Sequence, residues 1–167
     1  STHCISSAAS DVYKRQRNGN TLLNDLHKGE RFDFALANPP FNVKDWGSEK
    51  VIDDSRWRWG TPYDGNANYA WIEHILSKLT PDGKAGIVLA NGSLSTSTSD
   101  EKAIRQSLLE DHKVDGIVAM PSQMFYSVSI PVSLWVFDMN QASPNERDRQ
   151  GETLFIDARE LLSLIHI

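Results

Sequence analysis

The run Asn38-Pro39-Pro40-Phe41 follows the apolar segment Phe32–Ala37 without a break. That segment has the length and the apolar character of a buried β-strand. Each proline fixes its own φ angle and biases the residue before it toward an extended conformation. We therefore expect a strand that ends in a rigid polar loop, the motif loop (residues 38–41), with the aromatic ring of Phe41 at its end.

The residue types of the motif loop suit one chemistry, the methylation of a planar amino group. The side-chain oxygen of Asn38 can accept one amino hydrogen, and the backbone carbonyl of Pro39 can accept the other. Two uncharged acceptors localise the nitrogen lone pair without trapping a cationic methyl donor in an ion pair. Phe41 can stack the attached ring, and such stacking contributes about 1–3 kcal/mol. A stiff turn without chemistry is the alternative interpretation, because Asn and Pro are common turn residues.

The motif and three longer segments resemble one known family. The segments FDFALANPPFNVKDW, NYAWIEHILSKLTPDGKAGIVLANGSL and IRQSLLEDHKVDGIVAMPSQMFYSVSIPVSLWVF are similar to the methylation subunit of type I restriction–modification systems, and LFIDAREL fits that family too. The resemblance implies a Rossmann-like α/β sheet of an S-adenosylmethionine-dependent methyltransferase that methylates adenine N6 in DNA. It implies DNA, a specificity subunit and a restriction subunit as partners. The family's catalytic subunit is much longer, so only the C-terminal part of the sheet is expected here.

The resemblance also assigns roles to individual residues. Asn38 and Pro39 polarise the amino group, Pro40 rigidifies the loop, and Phe41 stacks the base. On the opposite side of the base the family places an aromatic side chain, which corresponds to Phe125 here. Tyr126 is the alternative for that role, because the residues just after it depart from the family's usual Thr-Gly-Ile-Pro. A core phenylalanine that closes the sheet edge is the purely structural interpretation.

A second segment resembles the part of the family that contacts the adenine of the methyl donor. This donor segment (residues 19–22, Gly-Asn-Thr-Leu) offers Asn20 and Leu22 as cofactor-binding candidates. Relatives often have Asp in place of Asn20, and an ordinary turn is the alternative. No glycine-rich loop precedes Phe32, so the main donor site is expected to be incomplete. The missing strands should leave Phe34, Leu36 and residues 87–89 poorly covered.

Two other motif interpretations remain open. Related Asn-Pro-Pro-aromatic motifs serve the methylation of RNA bases and of glutamine side chains. A truncated domain that only contacts DNA or partner subunits is the non-catalytic alternative. The histidines show no zinc-ligand spacing with a cysteine, and no metal is expected.

Charge and composition limit what the chain can do alone. Its 167 residues are enough for one modest core, and its net charge of −5 is unusual for a chain that must hold DNA by itself. The basic–aromatic run at residues 56–59 (Arg-Trp-Arg-Trp) either contacts phosphates or bases, or is a solvated loop whose tryptophans pack against the domain. Cys4 is the only cysteine, which fits a reducing cytoplasm, and no apolar stretch is long enough to span a membrane.

The two ends of the chain match nothing in the family. Residues 1–16 contain a stretch that resembles translated sequencing-adapter sequence, and residues 162–167 resemble the corresponding artefact at the other end. A flexible tail is the alternative for the first segment, and a short apolar strand is the alternative for the second. The partial catalytic domain is therefore expected to span residues 17–161.

Between these ends strand and helix patterns alternate. Strands are predicted at residues 32–37, 85–90, 114–120, 130–138 and 153–156, and helices at residues 68–79 and from a capping box of Thr98 and Glu101 to about residue 112. A turn at residues 80–83 ends the first helix, and Ile104, Leu108 and Leu109 form the apolar face of the second. Residues 42–66, the connecting loop, show no periodicity. Because helices separate the strands, a mostly parallel sheet is expected.

Overall fold

The computed structural model of the protein describes residues 18–121, 130–144 and 146–160. The strands in these ranges are β1 (Phe32–Ala37), β2 (Leu79–Ala90), β3 (Val114–Ala119), β4 (Val132–Asp138) and β5 (Leu154–Asp157). The α-helices are α1 (Asn68–Leu76), between β1 and β2, and α2 (Ser99–Glu110), between β2 and β3. Short 3₁₀ turns lie at Ser48–Val51 and Asn91–Leu94. The predicted strand of residues 32–37 is confirmed at both ends.

The five strands form one sheet in the order β1-β2-β4-β3-β5. The pairs β1–β2 and β3–β5 are parallel, whereas β4 is antiparallel to both of its neighbours. Four strands therefore share one direction, as predicted, and β4 is the exception. The chain crosses over from β1 to β2 through α1, but it turns back after β3 so that β4 can pair directly with β3.

The start of β2 differs from the prediction. Helix α1 ends at Leu76 instead of residue 79, because Leu79 already pairs with Phe32 of β1. The predicted turn at residues 80–83 is an irregularity inside β2, since the next pair of the ladder joins Phe34 to Lys84. Gly83 is needed there, because a Cβ at this position would lie only 2.9 Å from Leu79 Cβ and 3.0 Å from the carbonyl oxygen of Phe32.

Helix α2 also differs from the prediction, in its N-terminal cap and in its apolar face. Thr98 precedes the helix, but its side chain makes no capping hydrogen bond. The Glu101 carboxylate instead accepts a hydrogen bond from the hydroxyl of Thr96, so the predicted capping box is wrong. The apolar face consists of the buried Ile104 and Leu108, whereas the side chain of Leu109 is 42% exposed.

The main core lies on the face of the sheet that α1 and α2 cover. Its fully buried members include Ile87, Leu89, Trp135 and Phe137 from the strands and Ile72, Leu76, Ile104 and Leu108 from the helices. The prediction that residues 87–89 would be poorly covered is therefore wrong for Ile87 and Leu89, because the helices within the chain cover them. Alternation along β1 turns Ala35 and Ala37 toward this core.

The opposite face of β1 is open. Phe34 is 77% exposed and Leu36 is 83% exposed, as predicted for these two residues. Because β1 is the first strand of the sheet, its outer edge is also unpaired among the described residues. No helix within the described ranges is long and apolar enough to cross a membrane.

Candidate active site at the carboxyl end of β1

The motif loop continues directly from the carboxyl end of β1, next to the parallel strand β2. Asn38 and Pro40 are exposed, Pro39 is buried and Phe41 is half-buried. Within the part of the chain that the structure describes, no group hydrogen-bonds the side chain of Asn38. Ligands of open α/β sheets bind at the carboxyl ends of strands, so the loop presents an available amide at the place where a ligand is expected.

The residue after the motif loop is held in an uncommon conformation. Asn42 has a φ of 53°, in the left-handed region. Its backbone N–H donates to Oδ1 of Asn68 at 3.0 Å, and the side-chain amide of Asn68 donates back to Oδ1 of Asn42 at 2.9 Å. Two reciprocal hydrogen bonds therefore join the end of the motif loop to the first residue of α1.

The connecting loop is compact despite its lack of periodicity. Oδ1 of Asp64 accepts the backbone N–H groups of Gly47 and Ser48 at 3.0 and 2.8 Å, and the indole N–H of Trp46 donates to the carbonyl of Tyr63 at 3.0 Å. The indole rings of Trp46 and Trp57 meet edge to face at 5.9 Å. The loop thus forms an ordered platform beside the motif loop.

Arg56 turns into the protein and is buried there. Its guanidinium makes two hydrogen bonds to the carboxylate of Asp54, at 2.9 and 2.8 Å, and these bonds lower the pKa of Asp54. It also donates to the carbonyl of Thr21 at 3.0 Å, to the carbonyl of Leu22 at 2.5 Å and to Nδ1 of His74 at 3.0 Å. This buried arginine therefore fastens the donor segment to the connecting loop and to α1.

The rest of the basic–aromatic run supports the interpretation that its tryptophans pack on the domain. Trp59 is buried in the main core, and its indole N–H donates to Asp111 at 2.9 Å. Trp57 is partly buried against the smaller cluster of Leu22, Trp46, Ala67, Ala70 and Trp71. Only Arg58 projects outward, with a side chain that is 61% exposed.

In the donor segment the oxygen of Asn20 holds a turn. It accepts the backbone N–H groups of Leu22 and Leu23 at 3.2 and 3.3 Å, which is the geometry expected for the alternative of an ordinary turn. Asn20 is nevertheless exposed, whereas the side chain of Leu22 is buried in the smaller cluster. Their contact with a donor stays a prediction, and Leu22 would have to make it through its backbone.

His74 is buried on α1 and accepts a hydrogen bond from the guanidinium of Arg56. Burial, together with the positive charge of Arg56, lowers its pKa to about 4, so it is neutral at pH 7. Just after the end of α1, Lys78 pairs with Asp25 and donates to the carbonyl of His27 at 3.0 Å. These contacts span more than 50 residues of sequence, and no local pattern indicated them.

Glu73 is a buried acid that directly precedes His74 in the sequence. It is fully buried on α1, where its Oε2 accepts the backbone N–H of Trp59 at 3.0 Å. Its Oε1 has no hydrogen-bond partner among the described residues. Burial raises the pKa of Glu73 to about 8, so the folded chain keeps this acid protonated at pH 7.

The pKa of Glu73 leads to a prediction about stability. Between its ordinary pKa of 4.5 and about 8, folded Glu73 holds a proton that the unfolded chain has released. The free energy of unfolding should therefore fall as the pH rises, by on the order of 1 kcal/mol per pH unit. Glu73→Gln should remove this slope and raise stability at pH 8. Urea midpoints of the parent and the variant from pH 7 to 8, above the ordinary pKa of His74 of 6.5, measure the effect.

The exposed Glu110, also on a helix, supplies the matched control. Glu110→Gln should leave the slope between pH 7 and 8 unchanged. Equal slopes for the parent and for Glu73→Gln would show that Glu73 does not carry the proton.

Phe125 and Tyr126, the two candidates for stacking the base from the far side, lie outside the described residues, so that role stays a prediction. The flanks at residues 1–16 and 162–167 also lie outside them. Among residues 18–121, 130–144 and 146–160, no group of three or more His, Cys, Asp or Glu side chains is placed to hold a metal ion.

The fold is shared with a solved structure of low sequence identity. The structure resembles that of an S-adenosylmethionine-dependent methyltransferase of the class I type from Listeria monocytogenes, described as putative, with a TM-score of 0.60, 18% identity and coverage of 84% of this chain and 41% of that one. The chain thus has the fold of part of such a sheet, with the motif loop at a strand end.

The sequence identifies the family within this class. The chain belongs to the N-6 DNA methylase family, whose profile matches residues 4–165. It is 41% identical, over 86% of its length and 31% of the relative's, to the methylase subunit of the type I restriction enzyme HindI from Haemophilus influenzae. The methyltransferase subunit of a type I restriction–modification system from Streptococcus thermophilus superposes with a TM-score of 0.75 and 30% identity, covering 86% of this chain and 30% of that one. The chain thus spans about a third of the length of these relatives.

Proposed function

We propose that this chain carries the base-binding part of a DNA methyltransferase that transfers a methyl group from S-adenosylmethionine to N6 of adenine. The observation that carries the proposal is the exposed side chain of Asn38, which no described residue hydrogen-bonds. It lies at the carboxyl end of β1, three residues before the half-buried Phe41. Membership of the N-6 DNA methylase family supports the choice of substrate atom.

The motif loop fits a sulfonium methyl donor, because none of its four side chains carries a charge. The donor, when bound, supplies an electrophilic methyl group. Asn38 Oδ1 and the carbonyl of Pro39 each accept one hydrogen of the adenine amino group, which directs the nitrogen lone pair toward that methyl group. The amino nitrogen gains the methyl group and releases one proton to solvent, while the sulfur–methyl bond breaks and leaves a neutral thioether.

The reacting nitrogen of adenine takes part in base pairing, so the base must leave the duplex before it can reach Asn38. Phe41 is proposed to stack on one face of the flipped base, and Phe125 on the other face. Asn20 and Leu22 are proposed to contact the adenine of the donor. Contacts on both faces hold the amino group at the distance from the donor that methyl transfer requires.

We further propose that separate subunits complete the enzyme, namely a specificity subunit that reads the DNA sequence and a restriction subunit that cleaves. The charges of the chain support this division. Its net charge is −5. Arg56, which the sequence offered as a phosphate contact, is instead bonded to Asp54 and to the carbonyl of Thr21 in the same chain. DNA affinity depends on phosphate neutralisation, so most of it must come from elsewhere in the complex.

The test uses the full-length methylation subunit assembled with its specificity subunit. The complex is incubated with isotope-labelled S-adenosylmethionine and duplex DNA that carries the target site, and the nucleosides are separated after digestion. Label in N6-methyladenine is the expected result. Label in RNA or in protein glutamine under matched conditions would support those alternatives, and the absence of any label would support a non-catalytic module.

A further inference from the structure

We propose that Asn68 is a positioning residue for methyl transfer, which sets the motif loop by locking Asn42 in its left-handed conformation. The inference rests on the function proposed above. It concerns two asparagines that lie behind the motif loop rather than within it.

The contact between the two residues is reciprocal. The N–H of Asn42 donates to Asn68 Oδ1 at 3.0 Å, and Asn68 Nδ2 donates to Asn42 Oδ1 at 2.9 Å. Each asparagine therefore uses both a donor and an acceptor, which leaves the pair a single relative orientation. Because Asn42 follows Phe41 directly, this orientation also fixes the direction in which the chain leaves the motif loop.

Asn68 is itself held rigidly, so it can act as a reference point. It is 1% exposed and is the first residue of α1. Its N–H donates to Asn66 Oδ1 at 3.0 Å, and the N–H of Ala67 donates to the carbonyl of Val43 at 2.9 Å. All nine residues of α1 are buried, so the helix that carries Asn68 is fixed in the core.

This arrangement separates the two halves of the site. The motif loop depends on Asn68, whereas the donor segment is held by the contacts of Arg56 to the carbonyls of Thr21 and Leu22. Loss of the asparagine pair should therefore displace the base and its acceptors without moving the donor. A displacement of about 1 Å at a reacting centre can reduce the rate on the order of 100-fold.

The experiment measures the single-turnover rate of methylation and the donor dissociation constant in the assembled complex. Asn68→Ala removes both hydrogen bonds, and we expect the rate to fall roughly 10- to 100-fold while the donor dissociation constant changes less than about twofold. Asn68→Asp should recover most of the rate. A carboxylate accepts the N–H of Asn42 and, after the Asn42 side-chain amide turns over, its side-chain N–H as well.

A second pair of variants tests the same inference at Asn42. Asn42→Gly keeps a residue that adopts positive φ without strain, whereas Asn42→Ala does not. We expect Asn42→Ala to be the slower of the two by at least about threefold, a figure of the order that left-handed strain in a non-glycine residue implies. This pair decides the question if Asn68→Ala fails to fold.

The matched control is Asn140→Ala. Asn140 follows β4, and its side chain donates to Asp82 at 2.7 Å, at the opposite end of the sheet from the motif loop. The Asn140→Ala variant should retain the parent rate of methylation. A rate loss in Asn68→Ala that comes with an equal loss of donor affinity, or with no recovery in Asn68→Asp, would contradict a positioning role.

Asn38→Ala, measured in parallel, separates this inference from the proposed function. If Asn38→Ala stops methylation while Asn68→Ala and Asn42→Ala both stay within twofold of the parent, the positioning role is overturned and the proposed function stands. If Asn38→Ala retains the parent rate, the proposed function fails, and the role of Asn68 fails with it.

Discussion

Asn38→Ala is expected to reduce the rate of methyl transfer by at least about 100-fold while donor binding is largely unchanged. The variant removes one of two preorganised acceptors for the amino hydrogens, and the loss of one comparable preorganised hydrogen-bonding group in acyl-transfer enzymes costs about 10²–10³-fold in rate. The variant loses no hydrogen bond to the described residues, because none of them bonds the exposed side chain of Asn38. Stability should therefore stay within about 0.5 kcal/mol of the parent.

The measurement is a single-turnover methylation assay on the assembled complex, with donor affinity determined by calorimetry on the same samples. Asn140→Ala again serves as the distant asparagine control. Turnover within about tenfold of the parent would refute the role of Asn38 as an acceptor, because that is well below the loss seen on removing comparable groups. The motif loop would then be a structural turn, which is the alternative that its prolines leave open.

Arg56→Met should have the largest effect on stability of any change considered. The variant keeps the aliphatic stem but removes the guanidinium, which donates to Asp54, to His74 and to the carbonyls of Thr21 and Leu22. The backbone N–H of residue 56 still donates to Asp54. Removing one partner of a buried ion pair typically costs about 3–5 kcal/mol, because the remaining charge stays uncompensated. We expect a loss of this order in the free energy of unfolding, visible as a lower urea midpoint of the full-length subunit.

Arg58→Met is the matched control, because the same substitution is made two residues away. Arg58 is 61% exposed on its side chain, and its nearest ion-pair contact, to Asp111, is 3.5 Å long. Its loss should change stability by no more than about 0.5 kcal/mol. Equal midpoints for the two variants would show that the buried contacts of Arg56 contribute no more than a surface pair does.

A second consequence separates Arg56 from a purely structural arginine. Its donors hold the carbonyls of the donor segment, so Arg56→Met should weaken donor binding more than it slows the bound complex. Asn68→Ala is expected to do the opposite. Donor dissociation constants and single-turnover rates for both variants, measured at a temperature where each remains folded, test this contrast.

The sequence predicted the motif loop and its strand well because the signals there are local. A continuous apolar run followed by two prolines fixes where a strand ends, and β1 has the predicted bounds. The direction of β4 in the sheet could not be predicted in this way, because a parallel and an antiparallel strand can have the same apolar residues. Its antiparallel pairing with β2 and β3 depends on neighbours that its own residues do not specify.

The supporting contacts of the site were missed for a related reason. The guanidinium of Arg56 reaches the carbonyl of Thr21, 35 residues away, and Asn68 reaches Asn42, 26 residues away. Arg56 begins a basic–aromatic run that has the composition of a nucleic-acid contact, and nothing nearby in sequence shows that it is buried. Asn68 similarly has the pattern of an ordinary helix start, because its partner lies across the connecting loop.

The position of β4 between β2 and β3 affects how the chain folds during translation. β2 ends at Ala90, but the strand that pairs with its second edge begins only at Val132. At translation rates of about 5–20 residues per second, that edge emerges from the ribosome several seconds before its partner. During this interval the apolar residues of β2 have an open hydrogen-bonding edge, which is the kind of surface that pairs with other nascent chains. Slow codons or chaperone contacts between residues 90 and 132 would therefore influence the yield of folded protein more than the same features placed after residue 138.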